Sequence, residues 1–192
     1  MQKTAILLFD LFSNYELSVA LSVLAQAGKP FDVFCLNEFA VSEEGLRVKR
    51  DKALTELVRA DYDSLLLPGC MDPRGIIDDP RIHAFLRGFH LSDHIIASIS
   101  SSPLLLLKAG LLEGRSYVAG AIKEDLLEEG FTMEQMHGMR DVTDLDNADG
   151  TRTLCLQDGK LLTAVGSAFI QFGIRFGELL QLDFDPRWYG KD

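Results

Sequence analysis

Cysteine is scarce in this 192-residue sequence, which contains only Cys35, Cys70 and Cys155. Three thiols so far apart cannot build a disulfide framework, and they lack the close spacing of a zinc site. A Gly-rich phosphate-binding fingerprint and a metal-spaced histidine pair are also missing, so we expect no metal and no cofactor. The cysteine count excludes chemistry that needs paired thiols but leaves open chemistry that needs one.

Positive charge is also in short supply. Lys and Arg total 19 against 29 Asp and Glu, which gives a formal net charge of −10 at pH 7. Nucleic-acid binding depends on neutralising phosphates with Lys and Arg, so we expect no nucleic-acid partner. The same balance disfavours binding to an anionic membrane surface.

Long hydrophobic runs are absent. The run Leu104–Leu107 is far shorter than the ~20 residues that a membrane helix needs. The N-terminus enters an apolar run of strand length at once, without the apolar region and cleavage site of a signal peptide. These absences predict a cytoplasmic protein with no membrane partner. The length, with 47% hydrophobic and 25% charged positions, fits a single domain over residues 1–192.

Short apolar runs alternate with helical patterns along the chain. The runs that predict buried strands are 4–9, 31–36, 64–68 and 94–99. The predicted helices run from a cap at Asn14 to Gly28, from Pro80 through Leu86, and over 104–109, 123–129 and 168–182. An Asp-Gly turn at 158–159 predicts a C-terminal hairpin of 151–156 with 160–165. The alternation predicts an α/β fold, a three-layer α/β/α sandwich with a mostly parallel sheet.

In such a sheet, ligands bind at the carboxyl ends of the strands. The segments predicted to meet at this edge are 10–16, 69–74, 100–103 and the turn around Gly166-Ser167. The position of these segments follows from the predicted fold and does not by itself indicate any chemistry.

Four motifs lie at or beside this edge. They are LLFDLFSNYEL at 7–17, DYDSLLLPG at 61–69, IASISSSPLLLLKAGLLEGR at 96–115 and DGKLLT at 158–163. Together and in this order they resemble the ThiJ/PfpI family of the class I glutamine amidotransferase-like superfamily. The third motif stands where the family has Ala-Ile-Cys-His-Gly-Pro. The resemblance implies a flavodoxin-like fold and, because family members commonly self-associate, a homodimer.

The resemblance also implies a reactive site. In the family, a cysteine lies in a strained turn above the sheet, a glutamate hydrogen-bonds its sulfur, and two backbone N–H groups form an oxyanion pocket. By position, Ser100 replaces that cysteine and Glu16 is the glutamate. The residues implied for the oxyanion pocket are Gly69, Cys70, Ser101 and Ser102. The backbone groups of Cys70 and Ser101 would be the two donors.

Ser100 is open to two interpretations. A serine nucleophile needs an adjacent base that a third group orients. The family carries a histidine at one of two positions, and no histidine of this sequence matches either of them. The histidines are His83, His90, His94 and His137. Glu16 could act as the base only if burial raises its pKa. The favoured interpretation is a helix start, with a serine cap and Pro103 in the first turn.

Glu16 and Cys70 carry opposite expectations. Glu16 is expected to face the crevice and pair with Ser100 rather than to be a solvated first-turn charge. Cys70 stands where the family has the second glycine of Pro-Gly-Gly. The favoured interpretation is a buried, inert filler. The alternative is a relocated thiol beside Ser100, with only Arg74 available to lower its pKa.

Three functions follow from these alternatives. The favoured one is a ThiJ/PfpI-like protein that lacks cysteine-dependent catalysis and keeps a small-molecule pocket at Glu16 and Ser100. The second is an active amidase, glyoxalase/deglycase or hydratase-like enzyme that uses Ser100 or Cys70. Such an enzyme would be a hydrolase, a lyase or amidotransferase-like. The third is a structural or interaction protein that acts through its dimer surface.

Overall fold

A seven-stranded sheet lies at the centre of the structure, a computed structural model that describes residues 1–191. Across the sheet, the strands are β10 (Cys155–Asp158), β11 (Leu161–Ala164), β7 (Ile95–Ile99), β6 (Tyr62–Leu67), β1 (Lys3–Leu8), β2 (Phe31–Cys35) and β5 (Lys52–Ala53). Neighbouring strands pair in parallel, and β10 alone pairs antiparallel, with β11, in this sheet. The predicted mostly parallel sheet and the C-terminal hairpin are therefore confirmed.

The remaining elements surround this sheet. Two small strand pairs are the antiparallel β3 (Phe39–Val41) with β4 (Arg47–Lys49) and the parallel β8 (Tyr117–Val118) with β9 (Met139–Arg140). The helices are α1 (Ser18–Gln26), α2 (Pro80–Leu86), α3 (Pro103–Lys108), α4 (Lys123–Glu128) and α5 (Phe169–Leu179). Over residues 1–191, none of the helices combines the length and apolar character needed to cross a membrane.

The central strands are buried along almost their whole length, which explains their continuous apolar sequences. Leu65, Leu66 and Leu67 of β6 have no exposed surface. Parallel strands covered on both faces by helices bury both sets of alternating side chains. The two buried hydroxyls of Thr4 and Ser64, which are opposite each other in β1 and β6, satisfy one another at 2.8 Å.

The direction of the crossovers divides the helices between the two faces. The connection β1–α1–β2 runs one way across the sheet, whereas β6–α2–β7 runs the other way. Right-handed crossovers therefore place α1 and α2 on opposite faces. α5 packs on α1, and α3 packs on α2. The reversal of strand order between β1 and β6 opens a crevice at the carboxyl ends of these strands.

Two predicted helix caps are wrong. Asn14 does not cap α1; it begins a short 3-10 turn, Asn14–Leu17, and its N–H donates to Glu44 at 3.0 Å. No serine side chain caps α3. The hydroxyl of Ser102, which precedes that helix, donates instead to the carbonyl of Ile99 at 2.8 Å. This buried hydroxyl is better satisfied within the turn than by a cap.

Candidate functional site

Four loops meet at the carboxyl edge of the sheet. Glu16 follows β1, Gly69 follows β6, Ser100 follows β7 and Gly166 follows β11. A Cβ atom on Gly69 would lie 2.5 Å from Ser100 Cβ, and one on Gly166 would lie 2.6 Å from Glu16 Oε1. Contacts this short require glycine at both positions unless neighbouring atoms shift. The two glycines thus allow the Glu16 and Ser100 side chains to come together.

Ser100 occupies a strained turn. Its φ of 63° lies in the left-handed region, which non-glycine residues adopt at a cost. The conformation is fixed from both sides, because Ser100 N–H donates to Ala164 O at 2.8 Å and Gly120 N–H donates to Ser100 O at 2.7 Å. The side chain is half-buried. A strand–turn–helix of this kind presents a side chain above the end of a sheet.

Glu16 is a buried carboxylate with neutral partners. It is 1% exposed, and its Oε2 accepts the Gly69 N–H at 2.7 Å. The Tyr15 hydroxyl donates to Oε1 over a longer distance, 3.4 Å. The Ser100 hydroxyl also lies close enough to stabilise the charged form of this carboxylate. The hydrogen bonds of ordinary geometry, however, come from the Gly69 N–H and the Tyr15 hydroxyl. Burial outweighs these three donors and raises the pKa of Glu16 above its ordinary value.

This shift predicts a pH-dependent stability. Between pH 4.5, the ordinary pKa of the group, and the raised pKa of the folded state, the folded protein holds a proton that the unfolded chain has released. The free energy of unfolding should therefore fall as the pH rises from 4.5 to the folded pKa, by at most about 1.4 kcal/mol per pH unit. Glu16→Gln should remove this decline. Urea denaturation of both proteins across the interval measures it, with the exposed Glu134→Gln as control. Equal slopes for all three proteins would contradict the assignment.

Cys70 lies beside the site, but its thiol is masked. The residue is 5% exposed, and its Sγ contacts Ser101 Oγ at 3.7 Å. Burial raises the pKa of the Cys70 thiol to about 11. The thiolate is the reactive form of cysteine, so Cys70 is almost entirely unreactive near neutral pH.

Ser101 and Ser102 hold the turn together. The Ser101 hydroxyl accepts the Cys70 N–H at 3.0 Å and donates to the Cys70 carbonyl at 2.8 Å. The Cys70 N–H, one of the two expected oxyanion donors, is therefore already bound. Ser102 Oγ also lies 3.1 Å from Leu67 O and 2.7 Å from Ser98 Oγ, which places the turn against β6 and β7. Both serines position the turn, and both are buried.

Histidines and metal clusters do not contribute to the site. His83 Nε2 bonds the Ile77 carbonyl at 2.7 Å, and His94 Nδ1 contacts the backbone of His90. Within residues 1–191, no hydrogen bond links a histidine to Glu16 or Ser100. In the same part of the chain, no group of three or more His, Cys, Asp or Glu side chains could hold a metal ion.

Several residues of this site were not predicted from the sequence. Tyr15 and Gly166 fall in segments assigned to the crevice edge, but nothing in their spacing marked them as site residues. Glu43 and Glu44 belong to the turn between β3 and β4. Glu43 accepts the Ser13 hydroxyl at 2.8 Å, and Glu44 accepts the Tyr15 N–H at 3.2 Å. No sequence signal connected this hairpin with the site.

A cavity lies away from these residues. It has a volume of about 700 Å³ and lies between Leu154, the outer side of α5 and the C-terminal segment at 189–191. Glu16 and Ser100 do not line it. The chemistry-bearing groups of the four loops therefore lie outside this cavity.

Comparison with known proteins places these features in a family context. Residues 2–178 match the model of the DJ-1/PfpI family. The chain is 28% identical over 134 residues to YraA of Bacillus subtilis, covering 67% of this chain and 78% of that protein. It is 27% identical over 157 residues to protein/nucleic acid deglycase 2 of Escherichia coli, covering 79% and 89%. A DJ-1 superfamily protein from Agrobacterium tumefaciens shares the fold, with a TM-score of 0.79, 20% identity and coverage of 99% and 95%.

Proposed function

The chain belongs to the DJ-1/PfpI family, and we propose that its Glu16–Ser100 site binds a small molecule without cysteine-dependent catalysis. One observation carries the proposal. A serine, Ser100, occupies the strained turn at φ 63° in which the family resemblance leads us to expect a cysteine. The site retains the turn and the buried glutamate, but the group at its centre is a hydroxyl.

The surroundings of Ser100 do not activate that hydroxyl. A serine nucleophile needs a base whose proton affinity is high and whose orientation is fixed by a further group. Glu16 is the nearest candidate, and burial raises its pKa, but the hydrogen bonds that orient its carboxylate come from the Gly69 N–H at 2.7 Å and the Tyr15 hydroxyl at 3.4 Å and not from Ser100. No histidine in the described residues hydrogen-bonds either side chain.

Cys70 does not replace the missing thiol. Its pKa of about 11 leaves a negligible thiolate fraction near neutral pH. Its Sγ faces the Ser101 hydroxyl, and the residue is buried. Neither access nor ionisation supports nucleophilic chemistry at this position.

Strain and burial at the site support ligand binding over a purely structural role. A left-handed serine costs roughly 1–3 kcal/mol, and such strain is concentrated where it serves function. Glu16 is a buried carboxylate without a charged partner, which is also costly. A site that only supported the fold would not need a buried carboxylate whose hydrogen-bond partners are all neutral.

An enzyme is the second candidate. It is favoured by the similarity to the Escherichia coli protein named protein/nucleic acid deglycase 2 and by the raised pKa of Glu16, which is suited to proton transfer. In this reaction the Ser100 oxygen would bond to a carbonyl carbon as the π pair of the carbonyl moved onto its oxygen, and Glu16 would accept the proton of the Ser100 hydroxyl.

Activity assays separate the two candidates. Purified wild type, Ser100→Ala and Cys70→Ala are tested for methylglyoxal consumption and amide hydrolysis. We expect no turnover above the protein-free rate for any of the three. Turnover by the wild type that Ser100→Ala abolishes would establish the enzyme instead, and loss in Cys70→Ala alone would assign the reaction to the thiol. The homodimer, the cytoplasmic location and a role of the dimer surface remain predictions from the sequence.

A further inference from the structure

Tyr15 is the exposed member of the site. Its side chain is half-exposed, and its ring packs edge-on against Phe169 with the ring centroids 5.5 Å apart. Its N–H donates to Glu44, and its hydroxyl reaches Glu16 Oε1. The backbone and the ring are thus fixed while the hydroxyl lies beside the Glu16 carboxylate.

Three side-chain oxygens converge on Gly166. The position that a Cβ of Gly166 would take lies 2.6 Å from Glu16 Oε1, 3.1 Å from the Tyr15 hydroxyl oxygen and 3.3 Å from Ser100 Oγ. All three oxygen atoms therefore lie on the side of Gly166 where another residue would carry its side chain. A carboxylate and two hydroxyls can each accept a further hydrogen bond, because each oxygen has more than one lone pair.

The charged groups near these oxygens are carboxylates. Glu43 raises the pKa of Glu16, and Glu43 and Glu44 both raise the pKa of Tyr15, although burial is the largest cause at each group. Among the ion pairs of residues 1–191, none involves Glu16, Glu43 or Glu44. A buried carboxylate is costly without a countercharge, and an anionic ligand would add to that cost.

We propose that Tyr15 is a specificity-determining residue that, with Glu16 and Ser100, binds the ammonium group of a small amine. An ammonium has three N–H donors and no acceptor, which matches three converging oxygens. It also supplies the positive charge that Glu16 lacks. A carboxylate of the same size has no donor to offer and is repelled. This inference rests on the proposed function, since it names the ligand class of the same site.

The test compares three probes of similar size and different charge. Nitrogen-15-labelled protein is titrated with propylammonium, 1-propanol and propionate near neutral pH, and the amide signals of Gly69, Ser101 and Gly166 are followed. We expect propylammonium to bind roughly tenfold or more tightly than propionate, because like charges in an interface are strongly unfavourable. Tyr15→Phe should weaken propylammonium binding about fivefold, the effect of one hydrogen bond. Glu16→Gln should remove the preference for propylammonium over 1-propanol.

Controls distinguish this inference from the proposed function itself. Tyr15→Phe keeps the ring against Phe169, so its melting temperature should match that of the wild type. Tyr189→Phe removes a hydroxyl that binds Ser22 and Gln26 outside the site, and it should leave binding unchanged. Preferential binding of 1-propanol or propionate, or unaltered propylammonium binding in Tyr15→Phe, would overturn the inference while the ligand site stood. The absence of any shift with all three probes would count against the proposed function as well.

Discussion

Ser100→Cys should carry a thiol that iodoacetamide alkylates at least about 100-fold faster than the native cysteines near neutral pH. The native thiols of Cys35, Cys70 and Cys155 are buried, and burial raises each pKa to about 11. A thiol with the ordinary pKa of ~8.5 is ionised roughly 300-fold more at pH 7 than these are. Position 100 is also half-exposed, so the reagent should reach a thiol there more easily than it reaches the buried native thiols. Alkylation followed by peptide mass mapping measures the four rates in one molecule.

A matched variant tests whether fast labelling depends on position 100 or occurs at any cysteine added to this strand. Ser98 lies two residues earlier in β7 and has no exposed surface. Ser98→Cys should label as slowly as the native cysteines. Slow labelling in Ser100→Cys, at the rate of Ser98→Cys, would show that the turn does not present its side chain to solvent. The proposal that Ser100 lies at an accessible site would then fail.

Gly69→Ala should destabilise the protein by about 1–3 kcal/mol, the usual cost of overpacking. Its new Cβ would lie 2.5 Å from Ser100 Cβ and 2.9 Å from the backbone nitrogen of Ser101. The second contact is to a backbone atom in a turn fixed by hydrogen bonds, so it cannot be relieved by rotating a side chain. The Gly69 N–H should also shift away from Glu16. Urea denaturation measures the change in the free energy of unfolding.

Gly75→Ala is the control for the loss of glycine itself. Gly75 lies in the loop that follows Gly69, at the end of a short 3-10 turn, Pro73–Gly75. No atom lies within 4 Å of the position that its Cβ would take. The stability change there should be within about 0.5 kcal/mol, as for ordinary surface substitutions. Equal effects of the two substitutions would mean that Gly69 is not selected for close contact with Ser100.

Together these experiments address one structural arrangement. The strained turn at Ser100 and the glycines at 69 and 166 allow a buried glutamate and a hydroxyl to meet above the sheet. Replacing one atom, the serine oxygen by sulfur, tests whether the arrangement still supports thiolate chemistry. Filling the space at Gly69 tests whether the arrangement depends on the absence of a side chain.

The fold could be predicted well because its signals are local. Continuous apolar runs identified β1, β6 and β7, and Asp79-Pro80 marked α2, whose first turn the Asp79 side chain caps through the Arg81 N–H. Burial on both faces forces such strands to be apolar throughout, so the sequence carries the information directly. The β3–β4 hairpin was missed because its strands have only three residues each and are partly exposed.

The sequence by itself determined the order of strands and helices, the family, and the residues Glu16, Cys70 and Ser100 as candidates for one edge of the sheet. Only the tertiary structure decided what these residues do there. The burial of Glu16 and of the Cys70 thiol depends on loops that follow β1, β6, β7 and β11, which are far apart in the chain. Tyr15 and the acidic turn at Glu43 and Glu44 became part of the site through contacts between those loops. Solvation and charge at a position depend on neighbours in space, and local sequence patterns do not encode them.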